Sequence, residues 1–120
     1  MIKRRITHIA VCFWPTDDIA VGRPEIDAQY RMAGYLSLPY HYVVRRNGVI
    51  EPGRQLDRPG LIDYPHRQTS INVCAVLPED SITARYTAAQ QNAMDGLIRM
   101  LRAEHPCAEL EVVAPVKEKK

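Results

Sequence analysis

Hydrophobic residues along the chain form two nearly continuous runs that predict β-strands. Residues 6–13 are mostly β-branched or otherwise apolar and are followed by Trp14-Pro15. Because a proline cannot donate to a strand ladder, we expect this strand to end there. Residues 70–77 form the second run, which is typical of a central strand buried on both faces. A shorter stretch at residues 108–113 predicts the last strand.

Two other segments carry the spacing of helices. The first begins near Pro24 and ends at Gly34, residues that favour a helix start and a helix end respectively. Its apolar face comprises Ile26, Tyr30 and Ala33. The second begins at a capping box formed by Thr87 and Gln90 and stops before Pro106. Its apolar positions at helical spacing are Met94, Leu97, Ile98 and Leu101.

A β-hairpin and a long loop lie between the two helices. Residues 40–46 alternate in polarity, Asn47-Gly48 is a strong hairpin signal, and the chain then returns as a partner strand. Residues 52–69 are rich in Pro, Gly, Asp and Arg and show no period, which predicts a surface loop. The order strand, helix, hairpin, strand, helix, strand predicts one α/β domain over residues 1–120, with a mixed central sheet flanked by helices.

Composition restricts the class of protein. Apolar residues make up 46% of the chain and charged residues 25%, as in ordinary globular proteins. The net charge of +2 is too small to indicate nucleic-acid binding. Three cysteines without a CxxC spacing argue against a disulfide framework and favour a reducing compartment. With no apolar run long enough to cross a bilayer and no cleavage site after the basic N-terminus, we expect a cytoplasmic protein without a membrane partner.

Five motifs occur in order along the chain. They are Thr7-His8-Ile9-Ala10-Val11-Cys12, Pro39-Tyr40-His41-Tyr42, Glu51-Pro52-Gly53-Arg54, Ser70-Ile71-Asn72-Val73-Cys74 and Tyr86-Thr87-Ala88-Ala89-Gln90. Together they resemble the type 2 N-acetylmuramoyl-L-alanine amidases, a family that includes phage lysozyme-type amidases and peptidoglycan recognition proteins. The resemblance covers nearly the whole chain and implies the α/β fold of that family.

The same resemblance implies where a zinc site would lie. Amidases of this family hold zinc with two His and a Cys or Asp, and a zinc-bound water attacks the amide. Cys12 occupies the position of the first His, Val113 that of the second, and the third ligand would follow Lys120, where the sequence stops. A catalytic zinc needs three protein ligands, and at most one is found. We therefore predict no metal, no cofactor and no catalytic residue, with Cys12 and Tyr40 as remnants of the pocket.

The remaining histidines do not restore this site. His8 and Cys12 share a strand face but lie about 13 Å apart along it, too far to hold one ion. A pair of Cys12 with His66, as metal ligands or as nucleophile and base, remains open because its adjacency depends on the path of the long loop. The favoured interpretation is a buried and inert Cys12, since a free cysteine packs as a small hydrophobe.

Because the sequence predicts no zinc site, three hypotheses for function are considered. We favour a zinc-free pseudo-amidase that acts as a binding or inhibitory protein on another macromolecule, most simply a protein. Because some phage members of the family restrain an intracellular polymerase, a phage-encoded, host-directed inhibitor is one form of this hypothesis. The first alternative is a peptidoglycan amidase with an unconventional metal site. The second is a binder of peptidoglycan fragments that does not hydrolyse them.

The expected binding surface is a rim around the former substrate groove. Phe13 and Trp14 are large aromatic residues at a place where the family usually has small polar ones. The nearby loop at residues 59–67 is rich in aromatic and arginine side chains, which are common interface anchors. The predicted binding residues are Phe13, Trp14, Arg58, Tyr64, His66 and Arg67.

Overall fold

Five strands and two α-helices are formed by the residues that the computed structural model describes, which are 4–61, 64–78 and 86–113. In chain order they are β1 (His8–Pro15), α1 (Arg23–Met32), β2 (Tyr42–Val44), β3 (Ile50–Pro52), β4 (Ser70–Leu77), α2 (Ala88–Glu104) and β5 (Glu109–Val112). A short 3₁₀ turn, Arg67–Thr69, leads into β4. Neither described helix combines the length and the apolar character that a membrane span requires.

The strands form one sheet in the order β3-β2-β4-β1-β5. β1 pairs in parallel with both β4 and β5, and β2 pairs in parallel with β4. The hairpin partner β3 is antiparallel to β2 and forms one edge of the sheet. This mixed sheet with its two helices confirms the predicted α/β class.

Alternation along the central strands divides the core into two layers. One layer, which we call the α2 face, joins Ile9 and Val11 of β1 to α2. Its other fully buried members are Val44, Ile71, Val73, Ala75, Met94 and Leu101. The opposite layer, the α1 face, contains Cys12, Cys74 and Ile26 of α1. Its other buried members are Val21, Leu38, Tyr40, Val43 and Val76.

Two details of the predicted elements are wrong. β1 extends beyond residue 13 and ends at Pro15, since the N–H of Thr16 still donates to Leu77 at 2.8 Å. Pro15 is tolerated because its missing N–H faces the β5 side, where the β1–β5 register has already ended at Val11. The third apolar position of the first helix, Ala33, is an exposed C-cap residue. Gly34 follows it with φ 102°, so the predicted helix end is confirmed.

Gln90 fastens the start of α2 to the sheet. The Thr87 hydroxyl accepts from the Gln90 N–H at 3.0 Å, which is the predicted capping box. The Gln90 side chain is fully buried, and its Nε2 donates to the carbonyls of Val44 at 3.2 Å and Val76 at 2.7 Å. Its Oε1 accepts from the guanidinium of Arg46 at 3.1 Å. One amide group therefore satisfies the ends of β2 and β4 together.

We expect Gln90→Met to lower the free energy of unfolding by about 3 kcal/mol, because it leaves two buried strand carbonyls without a donor. The matched control is Gln91→Met, one residue along, where an exposed side chain contacts Asp95. That control should change stability by less than about 0.5 kcal/mol. Urea denaturation of both variants measures the difference, and equal losses would contradict the bridging role of Gln90.

Candidate functional site

Cys12 lies at the centre of the α1 face. Its side chain is 5% exposed, and its register partner on β4 is the fully buried Cys74. Val113, just after β5, packs against the same cluster, and its N–H donates to Val11 at 2.8 Å. The fold therefore brings together the two positions where the resemblance implied the first and second zinc ligands. One carries a thiol and the other an apolar side chain.

The donor set around Cys12 does not fit a catalytic zinc. Burial raises the pKa of the Cys12 thiol to about 12, so the thiolate that zinc requires is disfavoured. Among the described residues, the one group of three His, Cys, Asp or Glu side chains with ligand atoms within 4.8 Å of one another does not include Cys12. A pair of Cys12 with His66 is not formed either, because His66 stacks on His8, about 13 Å along β1.

Tyr40, the second predicted remnant of the pocket, is held by another tyrosine. Its hydroxyl lies 3.1 Å from the hydroxyl of Tyr30 on α1. The Tyr30 ring also contacts Trp14 and Tyr35, at centroid distances of 5.9 and 5.6 Å. We call Trp14, Tyr30, Tyr35 and Tyr40 the tyrosine cluster. Burial raises the pKa of Tyr40 far above its usual range, so this phenol stays neutral and provides no base.

His41 has both ring nitrogens engaged in the backbone. Its Nδ1 accepts from the N–H of Asn72 at 2.9 Å, and its Nε2 donates to the carbonyl of Arg58 at 2.7 Å. The residue is 1% exposed, and burial lowers its pKa to about 4. His41 is therefore a neutral structural residue that connects the loop at residues 52–69 to β4. Neither of its ring nitrogens is available to a metal or a substrate.

Two residues of the predicted rim, Phe13 and Trp14, lie on opposite faces of β1. Phe13 and Trp14 are neighbours in a strand, so their side chains point to opposite faces. Phe13 packs on the α2 face, 6.5 Å from the ring of Tyr86, whereas Trp14 packs on the α1 face. The expectation that both aromatic residues share one surface is wrong. The alternation that separates them was already visible in the sequence.

Two loop residues of the predicted rim, Tyr64 and His66, contact side chains of β5 and β1 respectively. Tyr64 is buried and its hydroxyl donates to Glu111 on β5, while His66 stacks on His8 at the start of β1. His8 and Trp14 are six residues apart, or about 20 Å along a strand. Trp14 thus belongs to the tyrosine cluster at the end of β1, and His66 belongs to a histidine pair at its start.

The other two predicted binding residues, Arg58 and Arg67, flank the loop. Arg58 is exposed and contributes its carbonyl to His41, whereas Arg67 is partly buried at the start of the 3₁₀ turn. Sequence reasoning missed Tyr30 and Tyr35 as members of the site. The helical spacing placed Tyr30 on an apolar face, but nothing in the sequence showed that its hydroxyl meets Tyr40.

Comparisons with known proteins agree with this fold. No protein-family model matches the chain. It is 34% identical over 91 residues to the endolysin of Enterobacteria phage K11, an alignment that covers 73% of this chain and 60% of the phage protein. It is 32% identical over 101 residues to the endolysin of Escherichia phage T7, with 79% of this chain and 67% of the relative covered. The chain thus spans about 60% to two thirds of the length of these relatives.

Solved structures of the same shape have lower sequence identity. The N-acetylmuramoyl-L-alanine amidase LysC from Clostridium intestinale URNW superposes with a TM-score of 0.73 at 18% identity, over 89% of this chain and 70% of LysC. PGRP-Hd from Alvinella pompejana superposes with a TM-score of 0.76 at 18% identity, over 93% of this chain and 75% of that protein. At such identities the likeness concerns the fold.

We expect Cys12→Ser to lower the free energy of unfolding by about 1 to 2 kcal/mol, because it places a hydroxyl in an apolar cluster. The matched control is Cys107→Ser, since Cys107 is exposed. That control should leave stability unchanged within about 0.5 kcal/mol. Denaturant unfolding in a reducing buffer measures both variants. A Cys12→Ser variant as stable as the Cys107→Ser control would show that Cys12 is not packed as described.

We expect His41 to make stability fall as the pH falls from 6.5 to 4. The pKa of His41 is about 4 in the folded protein and about 6.5 in the unfolded chain, so the unfolded state binds the extra proton in this window. The stabilisation is complete above pH 6.5 and is lost by about pH 4, a change of about 3 kcal/mol. His41→Gln should lose this part of the pH dependence, and His105→Gln should retain it. Unfolding free energies measured across this range give the comparison, and parallel curves for wild type and His41→Gln would contradict it.

Proposed function

Because the chain belongs to the N-acetylmuramoyl-L-alanine amidase and peptidoglycan recognition protein family, we propose that it is a binding protein built on the amidase scaffold, without amide-hydrolysing activity. The observation that carries the proposal is the packing at Cys12 and Val113. Both side chains pack in one hydrophobic cluster. By the resemblance, relatives hold zinc at these two positions. In this chain the two side chains pack in the core.

Hydrolysis of an amide requires an activated nucleophile and a group that stabilises the developing oxyanion. The polar groups of the α1-face cluster are poorly suited to either task. Cys12 and Cys74 are thiols whose pKa values are raised by burial, and Tyr40 is a neutral phenol bonded to Tyr30. Neither a thiol nor a phenol in that state is a base at neutral pH. The chemistry of these side chains supports binding over catalysis.

The tyrosine cluster offers a surface for binding. Tyr35 is 46% exposed, and the next residue, Leu36, is 88% exposed. Met32, at the end of α1, is 81% exposed. Aromatic residues and methionine are enriched at protein interfaces, and exposed apolar patches commonly mark them. This composition favours a protein partner, and an inhibitory, host-directed phage protein of the cytoplasm remains the form of the proposal that we prefer.

Peptidoglycan is the second candidate partner. The relatives at 31–34% identity are named endolysins, and one structural neighbour is the peptidoglycan recognition protein PGRP-Hd. A chain that has kept the groove but not the zinc ligands would bind fragments without cleaving them. A hydrolase with an unconventional metal site is the remaining alternative, and it differs from both binders by clearing peptidoglycan.

The first experiment separates hydrolysis from binding. Wild-type protein is incubated with purified peptidoglycan, with and without added zinc, and clearing and co-sedimentation are both recorded. We expect no clearing under either condition. Clearing that disappears in Cys12→Ser would show that Cys12 is catalytic and would refute the proposal. Co-sedimentation without clearing would assign peptidoglycan as the partner.

We expect Trp14→Ala and Tyr35→Ala each to weaken partner binding by about 2 kcal/mol, because both residues belong to the tyrosine cluster and such aromatic residues dominate interface energies. The matched control is Met100→Ala, an apolar residue on α2 that is 44% exposed. Affinity and melting temperature are measured on the same preparations. A lowered melting temperature with unchanged affinity would assign Trp14 to the core alone and would remove the tyrosine cluster as the binding surface.

A further inference from the structure

A second group of chemically active side chains lies at the start of β1, away from Cys12. It comprises His8 on β1, His66 before the 3₁₀ turn and Glu111 on β5. One ligand atom from each of the three lies within 4.8 Å of the other two. This group, which we call the His8 cluster, shares no residue with the positions that the family resemblance assigned to zinc.

The sheet itself brings two of these residues together. β5 runs parallel to β1 with His8 opposite Glu109 and Ala10 opposite Glu111. Because paired residues of neighbouring strands point to the same face, His8, Glu109 and Glu111 all lie on the α1 face. His8 Nε2 is 3.8 Å from the carboxylate of Glu109. Two carboxylates therefore flank one imidazole on a rigid framework.

The long loop supplies the third ligand and holds the carboxylate in place. The His66 ring stacks on the His8 ring with centroids 3.7 Å apart and planes 13° apart. Tyr64 donates its hydroxyl to Glu111 Oε1 at 2.5 Å and packs its ring edge-to-face against His66. A hydrogen-bond donor that orients a ligating carboxylate is typical of the surroundings of protein metal sites. Tyr64 thus contacts two of the three residues of the His8 cluster.

A chain of hydroxyl groups contacts the Nδ1 side of His8. His8 Nδ1 lies 2.9 Å from the Thr7 hydroxyl, which donates to the Thr69 hydroxyl at 2.8 Å. The Thr69 hydroxyl in turn reaches the carbonyl of His66 at 3.5 Å. When Thr7 donates toward Thr69, its oxygen accepts from His8 Nδ1, which is the tautomer of neutral His8 that suits metal binding through Nε2. In that tautomer the lone pair of His8 is on Nε2, the nitrogen that lies 3.8 Å from the Glu109 carboxylate.

We propose that His8, His66 and Glu111 form a binding site for a divalent transition-metal ion such as Zn²⁺. Two imidazoles with one carboxylate match the ligand preference of Zn²⁺, Ni²⁺ and Cu²⁺, and they are a poor match for Mg²⁺ and Ca²⁺, which take oxygen ligands. Glu109 adds a second negative charge beside the ion. Three protein ligands leave a fourth position of a tetrahedral ion for water or another small ligand.

The bound state requires one local movement. Bonds of 2.0 to 2.1 Å to a tetrahedral ion place two ligand nitrogens about 3.4 Å apart, a spacing that the ligand atoms of the His8 cluster can reach because they lie within 4.8 Å of one another. Parallel stacked rings also direct their lone pairs in parallel planes, so both imidazoles cannot meet one ion while stacked. His8 and Glu111 belong to paired strands, whereas His66 lies in a loop. We therefore expect His66 to turn out of the stack when the ion binds.

The test uses the full chain after treatment with a chelator, with Zn²⁺ as the probe and calorimetry as the readout. We expect one equivalent of Zn²⁺ to bind, and we expect His8→Ala, His66→Ala and Glu111→Ala each to weaken binding by more than about 100-fold. Tyr64→Phe should weaken it by about 10-fold, since it removes the orienting hydrogen bond and keeps the ring. His105→Ala and Cys12→Ser are the matched controls and should bind Zn²⁺ like the wild type.

Three results would overturn the proposal. Two of them come from calorimetry: the absence of binding at about 1 mM Zn²⁺, or binding that survives His8→Ala, including binding that is lost in Cys12→Ser. Because a variant in β1 can fail to fold, the wild-type protein is also titrated while the imidazole NMR signals are followed. Zn²⁺ should shift the signals of His8 and His66 and leave those of His41 in place, and the reverse pattern would also refute the site. Metal binding is read here without any hydrolysis assay, so the outcome is independent of the proposed function.

Discussion

The pairing of β1 with β4 on one side and β5 on the other is the constraint on which the rest of this structure depends. A strand held on both sides cannot rotate or slip, since a shift of one residue would exchange its two faces. Ile9 and Val11 are thereby committed to α2, and His8, Cys12 and Trp14 to the opposite face. Along that one face, His8 has a polar environment, Cys12 a buried apolar one and Trp14 an aromatic one. Each of the three positions takes its chemistry from its place along β1.

Buried polar contacts then attach the loops to this sheet. His41 and Asn72 bond each other through the ring and the backbone, and the Asn72 side chain accepts from the N–H of Leu61. The loop passes so close that a Cβ on Gly60 would lie 1.9 Å from Asn72 Oδ1, so no larger residue fits there. On the other side of the sheet Gln90 performs the same task for α2. The apolar layers hold the elements together, and these polar groups define where each one sits.

The sequence was sufficient for the elements and insufficient for the contacts between them. β4 at residues 70–77 and the capping box at Thr87 depend on local patterns, and both were predicted correctly. The hairpin at Gly48 also followed from the residues, since its φ of 89° favours glycine. The contact of Tyr30 with Tyr40 and the stacking of His66 on His8 join residues that are distant in sequence. They depend on strand register and loop path, which no periodicity encodes.

The side chains at Cys12 and Val113, the positions that the resemblance assigns to zinc ligands, have a simple energetic consequence. A metal ligand that is buried without its metal leaves a polar group unsatisfied, at a cost of about 1 to 3 kcal/mol for each group. Val113 avoids this cost entirely, and Cys12 nearly does so because a neutral thiol packs as a small hydrophobe. Packing of these two side chains therefore avoids that cost. The His8 cluster is free of that cost, because Glu111 is exposed and water can satisfy the carboxylate when no ion is bound. A cluster of this kind can bind a metal ion without any change to the apolar layers beneath it.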